Sequence, residues 1–544
     1  MCGIVGWVGR EAIDPHAIDR ALETLHRRGP DGAGQWRSAD ATAILGHRRL
    51  AILDPSVRGE EPSLAPDQTS AFIHNGEIYN FREIREDLEK RGERFVSESD
   101  GEVAHRLLRL QGPEALARLE GMFVLALWDE TAGRLLLARD RLGIKPLYYL
   151  HAGGGIAFAS EPKALLALPG VSARLDADAV SDFLSYGYVP FDRCIFAGIR
   201  KLPPAHRLLF DRAAGTLRVE PFWRLERGEV SDDPEELRSR LDEAVRSHLV
   251  SDVPVGAFLS GGLDSSTVVG RASRTLPGLP TFTVGFRGGD AEDMRYARIA
   301  AGAYATRHRE AVLDIGDLSS TLAHSAEVYD EPLYDSSVLA VSGVAALARS
   351  EVKVVLTGDG GDEIFGGYGW DETVMRYEGM RRSFGPLAPL LSAAYRGLVA
   401  PLAGRPFGSR AAGSARLLAP DFIDRYFPVR GFFGAAEQER ILGPRPRDPA
   451  WLFRQFDRPD LPLAHRLLFL DIHTYLPDNG LMQVDRSTMA VGLEARVPLL
   501  DRQLVEYAFS LRPDRLFRPG ATKIAFREAI DRWLPEKIRT RSKA

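Results

Sequence analysis

Residues 255–269 read VGAFLSGGLDSSTVV. An apolar strand ends at Leu259, a helix is expected to begin near Ser265, and Ser260, Gly261 and Gly262 form the tight turn between them. Glycines there let backbone N–H groups approach an anion closely, and the helix N-terminus adds its dipole and unpaired donors. Ser265 and Ser266 are placed to cap the helix and donate hydroxyls, with Leu263 between them and the turn. Asp264 would repel phosphate on its own and makes sense with Mg²⁺ between the two. A glycine turn before a helix is about as often structural as anion-binding, but the attached LDSS favours phosphate. No glycine–lysine pair follows, so this is not the Walker pattern.

The surrounding sequence alternates strand and helix. Residues 232–254, DDPEELRSRLDEAVRSHLVSDVP, read as an amphipathic helix capped by Asp232 or Asp233, with Leu237, Leu241, Val245 and Leu249 on one face. Strands follow at 281–286 (TFTVGF), 309–315 (REAVLDI) and 352–356 (VKVVL), separated by helices near 293–305 and 336–349. The alternation implies a doubly wound parallel sheet with ligands at the carboxyl ends of its strands. A second glycine-rich turn, LTGDGGDEIFGGY (356–368), brings Asp359, Asp362 and Glu363 towards the same crevice. Three acids on such a turn could be a solvated loop; beside a phosphate loop, Mg²⁺ and substrate handling is the better reading. Beyond 370 the pattern is mostly helical. The apolar stretch 386–404 contains Arg396 and several prolines, so it reads as packed helix and turn rather than a membrane span.

Before about residue 210, short apolar runs separated by turns, with interleaved helical patterns, indicate an α+β domain of stacked sheets. A proline- and glycine-marked connection, 201–233, separates the two halves. The chain opens MCGIVGWVG (1–9). Removal of Met1 would leave Cys2 with a free α-amine beside its thiol, a nucleophile carrying its own base. A buried strand cysteine is the plainer alternative. HRRLAILD (47–54) offers Arg49 as a carboxylate clamp, and NGEIYN (75–80) offers Asn75 and Gly76 as oxyanion donors, although NG is more often a hairpin turn. Glu77 and Asp100 could anchor an ammonium. The turn LHRRGPDGAG (25–34) has no role that the sequence assigns. Nucleophile, oxyanion hole, clamp and anchors together match the needs of glutamine hydrolysis.

The bulk properties agree with such an enzyme. A chain of 544 residues is too long for one core, and 44% hydrophobic with 27% charged residues is ordinary globular composition. A net charge of −5 makes no case for nucleic acid or a membrane as partner. Two cysteines, Cys2 and Cys194, fit a reducing compartment, and the start lacks the basic region of a secretory leader, so a cytoplasmic protein is expected. A homodimer is the default assembly.

The ordered motifs MCGIVG, HRRLAILD, NGEIYN, GMFVLALWD, RDRLGIKPLYY, SDVPVGAFLSGGLDSS, LTGDGGDEIFGGY and VDRSTMAVGLEARVPLLD span nearly the whole chain. They resemble the glutamine-hydrolysing asparagine synthetases, class II glutamine amidotransferases fused to a synthetase domain. The resemblance implies an N-terminal-nucleophile hydrolase fold over 2–212 and a pyrophosphatase-loop, ATP-binding synthetase domain over 230–544. It implies Cys2 as nucleophile and a glutamine pocket made by Arg49, Leu50, Ala51, Ile52, Leu53, Asn75, Gly76, Glu77 and Asp100. For ATP it implies Leu259, the loop through Ser266, Val284 and Thr357–Gly358. Asp264 and Asp362 would hold Mg²⁺, Asp359 would assist adenylate formation, and Lys523 would neutralise phosphate charge. The reaction implied is asparagine synthesis from aspartate, glutamine and ATP through β-aspartyl-AMP and channelled ammonia. The alternative is amidation of another carboxylic acid in a natural-product or surface-polysaccharide pathway. Members of that family usually continue beyond LPEKIRTRSKA, so the sequence reads as shortened there or the tail as dispensable.

Overall fold

The computed structural model describes residues 2–229, 232–288, 292–314, 318–387, 389–390, 393–394, 419–444 and 447–541. Met1, most of the apolar stretch 386–404 and the last three residues lie outside them.

The amino-terminal half is two six-stranded sheets whose pairings are antiparallel. One sheet runs Ile199–Lys201, Tyr148–Ala152, Gly155–Ala159, Gly3–Val8, Ala43–Arg49, Gly32–Arg37. The other runs Thr216–Pro221, His206–Asp211, Arg134–Arg139, Gly121–Asp129, Ser70–Ile78, Ser63–Leu64. Their facing sides close on Ile4, Leu45, Ile73, Val124, Trp128 and Phe158, all buried. Helices cover the outer faces: Pro15–Thr24 lies on the first sheet, and Phe81–Lys90 with Asp100–Gln111 on the second. Because Thr216–Pro221 pairs with His206–Asp211, the layer extends past residue 212, the edge expected from sequence. The polar–apolar alternation of Thr216–Pro221 (TLRVEP) is that of a half-buried edge strand, in a stretch that the sequence reading assigns to the connection.

The second half is a five-stranded parallel sheet in the order Arg307–Leu313, Pro280–Phe286, Val255–Phe258, Val354–Leu356, Glu494–Arg496. The chain winds outward from the central Val255–Phe258 strand in one direction and then, with Val354–Leu356, in the other. The crevice at the carboxyl ends between these two strands is therefore the topological switch point, where doubly wound sheets bind ligands. The helix Pro234–Ser247 buries Leu237, Leu241, Ala244 and Val245 in the apolar core of this half, and its cap is Asp233, whose carboxylate accepts from Glu235 N at 2.9 Å. The helix after the glycine turn begins at Leu263, earlier than expected, with Gly262 as its N-cap. Ser265 and Ser266 consequently sit in its first turn and do not cap it. No described helix is long and apolar enough to cross a membrane.

Candidate active sites

The first site lies at one end of the stacked sheets. Cys2 precedes the strand Gly3–Val8, while Asn75, Gly76 and Glu77 come from Ser70–Ile78 of the facing sheet. Arg49 ends the strand Ala43–Arg49, and Asp100 opens the helix Asp100–Gln111. Cys2, Arg49, Leu50, Ile52, Leu53, Gly76, Glu77 and Asp100 line one pocket of about 40 Å³. Two expected members are not among its lining residues. Ala51 donates its N–H to Asp31 Oδ2 at 2.9 Å, and Asn75 is fully buried.

Asn75 accepts from the Cys2 nitrogen through Oδ1 at 2.8 Å, which leaves its buried Nδ2 without a protein partner. An uncommitted amide donor beside a thiol is what a developing oxyanion requires. Gly76 adopts φ +150°, and a Cβ there would lie 1.9 Å from the Met122 carbonyl oxygen, so only glycine brings this backbone so close. The Arg49 guanidinium donates to the carbonyls of Leu53, Asp54 and Ser56, folding the 50–56 turn over the pocket. Glu77 faces Arg496 of the parallel sheet at 3.2 Å. Asp100 accepts from Ile78 N at 2.8 Å and faces His74 Nε2 at 3.4 Å.

Sequence reasoning missed five residues of this pocket, Gly59, Ser99 and the three titratable ones, His47, Glu61 and His74. His47 was in view, at the head of the quoted HRRLAILD, but its proximity to Cys2 depends on strand register. Burial pushes the Cys2 thiol up, yet His47 and, after it, the amino-terminal ammonium and His74 bring it down to about 7. Cys194 is also a free thiol, and burial pushes it well up. The unassigned turn LHRRGPDGAG also acquires a part. Arg28 Nε donates to the Cys2 carbonyl at 3.0 Å, and its Nη1 reaches Glu161 at 2.9 Å and Asp485 at 2.8 Å.

The second site is a 430 Å³ cavity at the switch point of the parallel sheet. Leu259, Ser260, Gly262, Asp264 and Ser265 line it from one loop, Thr357, Gly358, Asp359 and Asp362 from the other, and Val284 from the neighbouring strand. Three expected positions do not line it. Gly261 makes the turn at φ +71°, where a Cβ would lie 2.4 Å from the Tyr296 backbone. Ser266 is buried beneath the loop, and Leu263 borders an adjoining cavity of about 300 Å³ with Lys523.

Lys523 Nζ is 2.5 Å from Asp264 Oδ2 and 2.6 Å from Asp362 Oδ1. The two carboxylates therefore converge on the Lys523 ammonium, which occupies the point between them, so an ion held by the same pair would share it with Lys523. Such a pair fits Mg²⁺, which takes one or two carboxylates and completes its shell with phosphate oxygens and water. Among the described residues no group of three or more metal-ligating side chains occurs, so a bound ion would depend on that phosphate and water. Burial, with Asp264 and Asp362 nearby, raises the Asp359 carboxyl above its ordinary value. Tyr368 donates to Glu363 at 2.7 Å in the same cavity.

The asparagine synthase family matches residues 236–544, and the glutamine amidotransferase domain family matches residues 1–223. The chain belongs to the asparagine synthase family. Asparagine synthetase 1 of Bacillus subtilis, named as glutamine-hydrolyzing, is 30% identical over 558 residues, covering 100% of this chain and 86% of its own. Asparagine synthetase 3 of the same organism is 30% identical over 576 residues, with the same coverage. A protein of Gibberella zeae named amidase chry2 is 27% identical over 595 residues, 97% of this chain and 84% of its own. Membership in the asparagine synthase family makes the chain an ATP-dependent ligase that uses glutamine.

Proposed function

We propose that the chain makes asparagine from aspartate, with glutamine as nitrogen donor and ATP as the activating substrate. In the first pocket the Cys2 sulfur attacks the glutamine carboxamide, with the α-amine that Met1 removal exposes as base. The Asn75 Nδ2 and Gly76 N–H hold the oxyanion, Arg49 and the Leu50–Leu53 turn lie along the substrate, and Glu77 and Asp100 anchor its ammonium. Ammonia leaves, and water clears the glutamyl thioester. In the second pocket the loop from Ser260 to Ser266 holds the β- and γ-phosphates, while Leu259, Val284, Thr357 and Gly358 contact the nucleotide. The aspartate β-carboxylate attacks the α-phosphorus, pyrophosphate departs, and ammonia then displaces AMP from the acyl carbon. Asp264 and Asp362 would hold Mg²⁺, which supplies charge neutralisation on the phosphates. Lys523 adds a fixed positive charge there, and Asp359 lies beside the reacting carboxyl.

The observation that carries this reading is the juxtaposition of two chemically complementary pockets across one continuous apolar core. Leu50 and Ile52 of the glutamine pocket and Leu259 of the nucleotide pocket belong to a single buried cluster, together with Met122, Leu356 and Val497. Apolar surroundings favour neutral ammonia over ammonium, so nitrogen kept in that core stays nucleophilic. Cys2→Ala tests the division of labour. Glutamine-dependent synthesis should fall by at least about 10³-fold while synthesis from added ammonia persists; equal loss of both would refute it. Activity restricted to an acid other than aspartate would favour the amidating alternative, which the amidase-named relative keeps in view.

A further inference from the structure

The Cys2 pocket holds a second route for the thiol proton, and it comes from His47. The strands Gly3–Val8 and Ala43–Arg49 pair with Ile4 opposite His47. Side chains alternate along a strand, so Cys2, two residues before Ile4, falls on the His47 side as its diagonal neighbour. Both residues line the same pocket.

The ring orientation decides what His47 can do. Its Nε2 lies 3.1 Å from the His74 carbonyl oxygen. A carbonyl can only accept, so Nε2 carries the hydrogen and the lone pair of the neutral ring is at Nδ1. The same Nε2 is 3.5 Å from Glu61 Oε2, which would stabilise an imidazolium. Glu61 is itself fixed: its Oε2 accepts from His74 N at 2.6 Å, and its Oε1 faces His74 Nδ1 at 2.5 Å. His74 in turn lies between Glu61 and Asp100. Gly101 closes this cradle, because a Cβ there would stand 2.3 Å from Glu61 Oε1. Arg49, the other cation at this pocket, is committed to backbone carbonyls, and Glu77 faces Arg496.

We propose that Cys2, His47 and Glu61 form a nucleophile–base–carboxylate relay for glutamine hydrolysis, with His74 as the positioning residue for Glu61. The proposal rests on the glutaminase reading of this pocket and adds a side-chain base to the α-amine. The thiol proton passes to His47 Nδ1 as sulfur bonds to the carboxamide carbon. When the carbon–nitrogen bond breaks, the same proton goes to the departing nitrogen, giving ammonia, a neutral imidazole and the glutamyl thioester. Water then cleaves the thioester to glutamate and returns a proton to sulfur. The depressed thiol value and the raised His47 value agree with a shared proton, since burial opposes charge on His47 while Cys2 and Glu61 favour it.

The test measures alkylation of Cys2 by iodoacetamide against pH, together with glutamine hydrolysis, on the full chain. His47→Gln keeps a donor for the His74 carbonyl and removes the basic lone pair. It should shift the alkylation midpoint upward from near 7 by at least about one pH unit and slow hydrolysis at neutral pH about a hundredfold. Glu61→Gln should move the midpoint in the same direction by a smaller amount, and serves if His47→Gln does not fold. Unchanged midpoint and rate in either folded variant overturns the relay. Wild-type hydrolysis by Cys2→Ala would instead overturn the glutaminase reading itself.

Discussion

Lys523 is a left-handed residue, at φ 52°, where a side chain is normally disfavoured. It persists there because its N–H donates to the Gly366 carbonyl at 3.2 Å and its ammonium is gripped by Asp264 and Asp362. A strained lysine held at the 300 Å³ cavity beside Asp264 and Asp362 fits, on the proposed reading, a charge in place before phosphate arrives. Lys523→Ala should reduce ATP-dependent pyrophosphate release about 10²- to 10³-fold, with glutamine hydrolysis in the absence of ATP preserved. An equal fall in hydrolysis would mean that the substitution acts through folding. The sequence motifs led to Lys523, Asp264 and Asp362 as separate candidates; their convergence on one point depends on tertiary packing. Cys2, Asn75 and Gly76 were legible in the same way. Glu61 and His74 were not, because neither belongs to a recognisable local pattern and their meaning arises only from contact with each other and with His47.

At the scale of the element, hydrophobic pattern revealed four of the five parallel strands, three as apolar runs and Arg307–Leu313 by its apolar end, AVL. The fifth, Glu494–Arg496, reads EAR and offers no apolar signal, yet it is entirely buried. Its charges are tolerated because they satisfy one another: Arg496 Nε is 2.5 Å from Glu494, and Nη1 donates to the His248 carbonyl at 2.9 Å. That strand also touches both sites. The Arg496 guanidinium faces Glu77 in the Cys2 pocket, and its carbonyl accepts from Thr357 N at 2.9 Å beside the 430 Å³ cavity. The helix after the glycine turn was legible in kind but misplaced in its start. Two serines suggest a side-chain cap, whereas the structure caps with Gly262 and places Asp264 and Ser265 of the first turn at the cavity.

At the scale of the molecule, the halves meet through buried ion pairs as well as through the apolar core. Arg28 of the first half joins Glu161 to Asp485 of the second, Lys145 is 3.5 Å from Asp485, and Arg486 reaches back to Glu161 at 2.7 Å. Burial opposes ionisation of Asp485 and Glu161, but these cations hold both carboxyls below their ordinary values. A carboxylate depressed in the folded state contributes stability above its unfolded value and loses it as pH falls through the folded one. Contact between the halves should therefore withstand mild acid and fail only below about pH 4, seen as expansion in small-angle scattering. Expansion already at about pH 6 would exclude these carboxylates as its cause. Composition and motif order indicated two functional halves, but not this contact, whose partners are up to 457 residues apart.

The central claim is that nitrogen liberated at the Cys2 pocket reaches the activated acid without entering solvent. Amide-¹⁵N glutamine, supplied with aspartate, ATP and a pool of unlabelled ammonium in excess over the ammonia that glutamine releases, tests it most directly. The account predicts asparagine whose amide carries nearly all ¹⁵N. An amide diluted to the isotopic ratio of the bulk ammonium would contradict it.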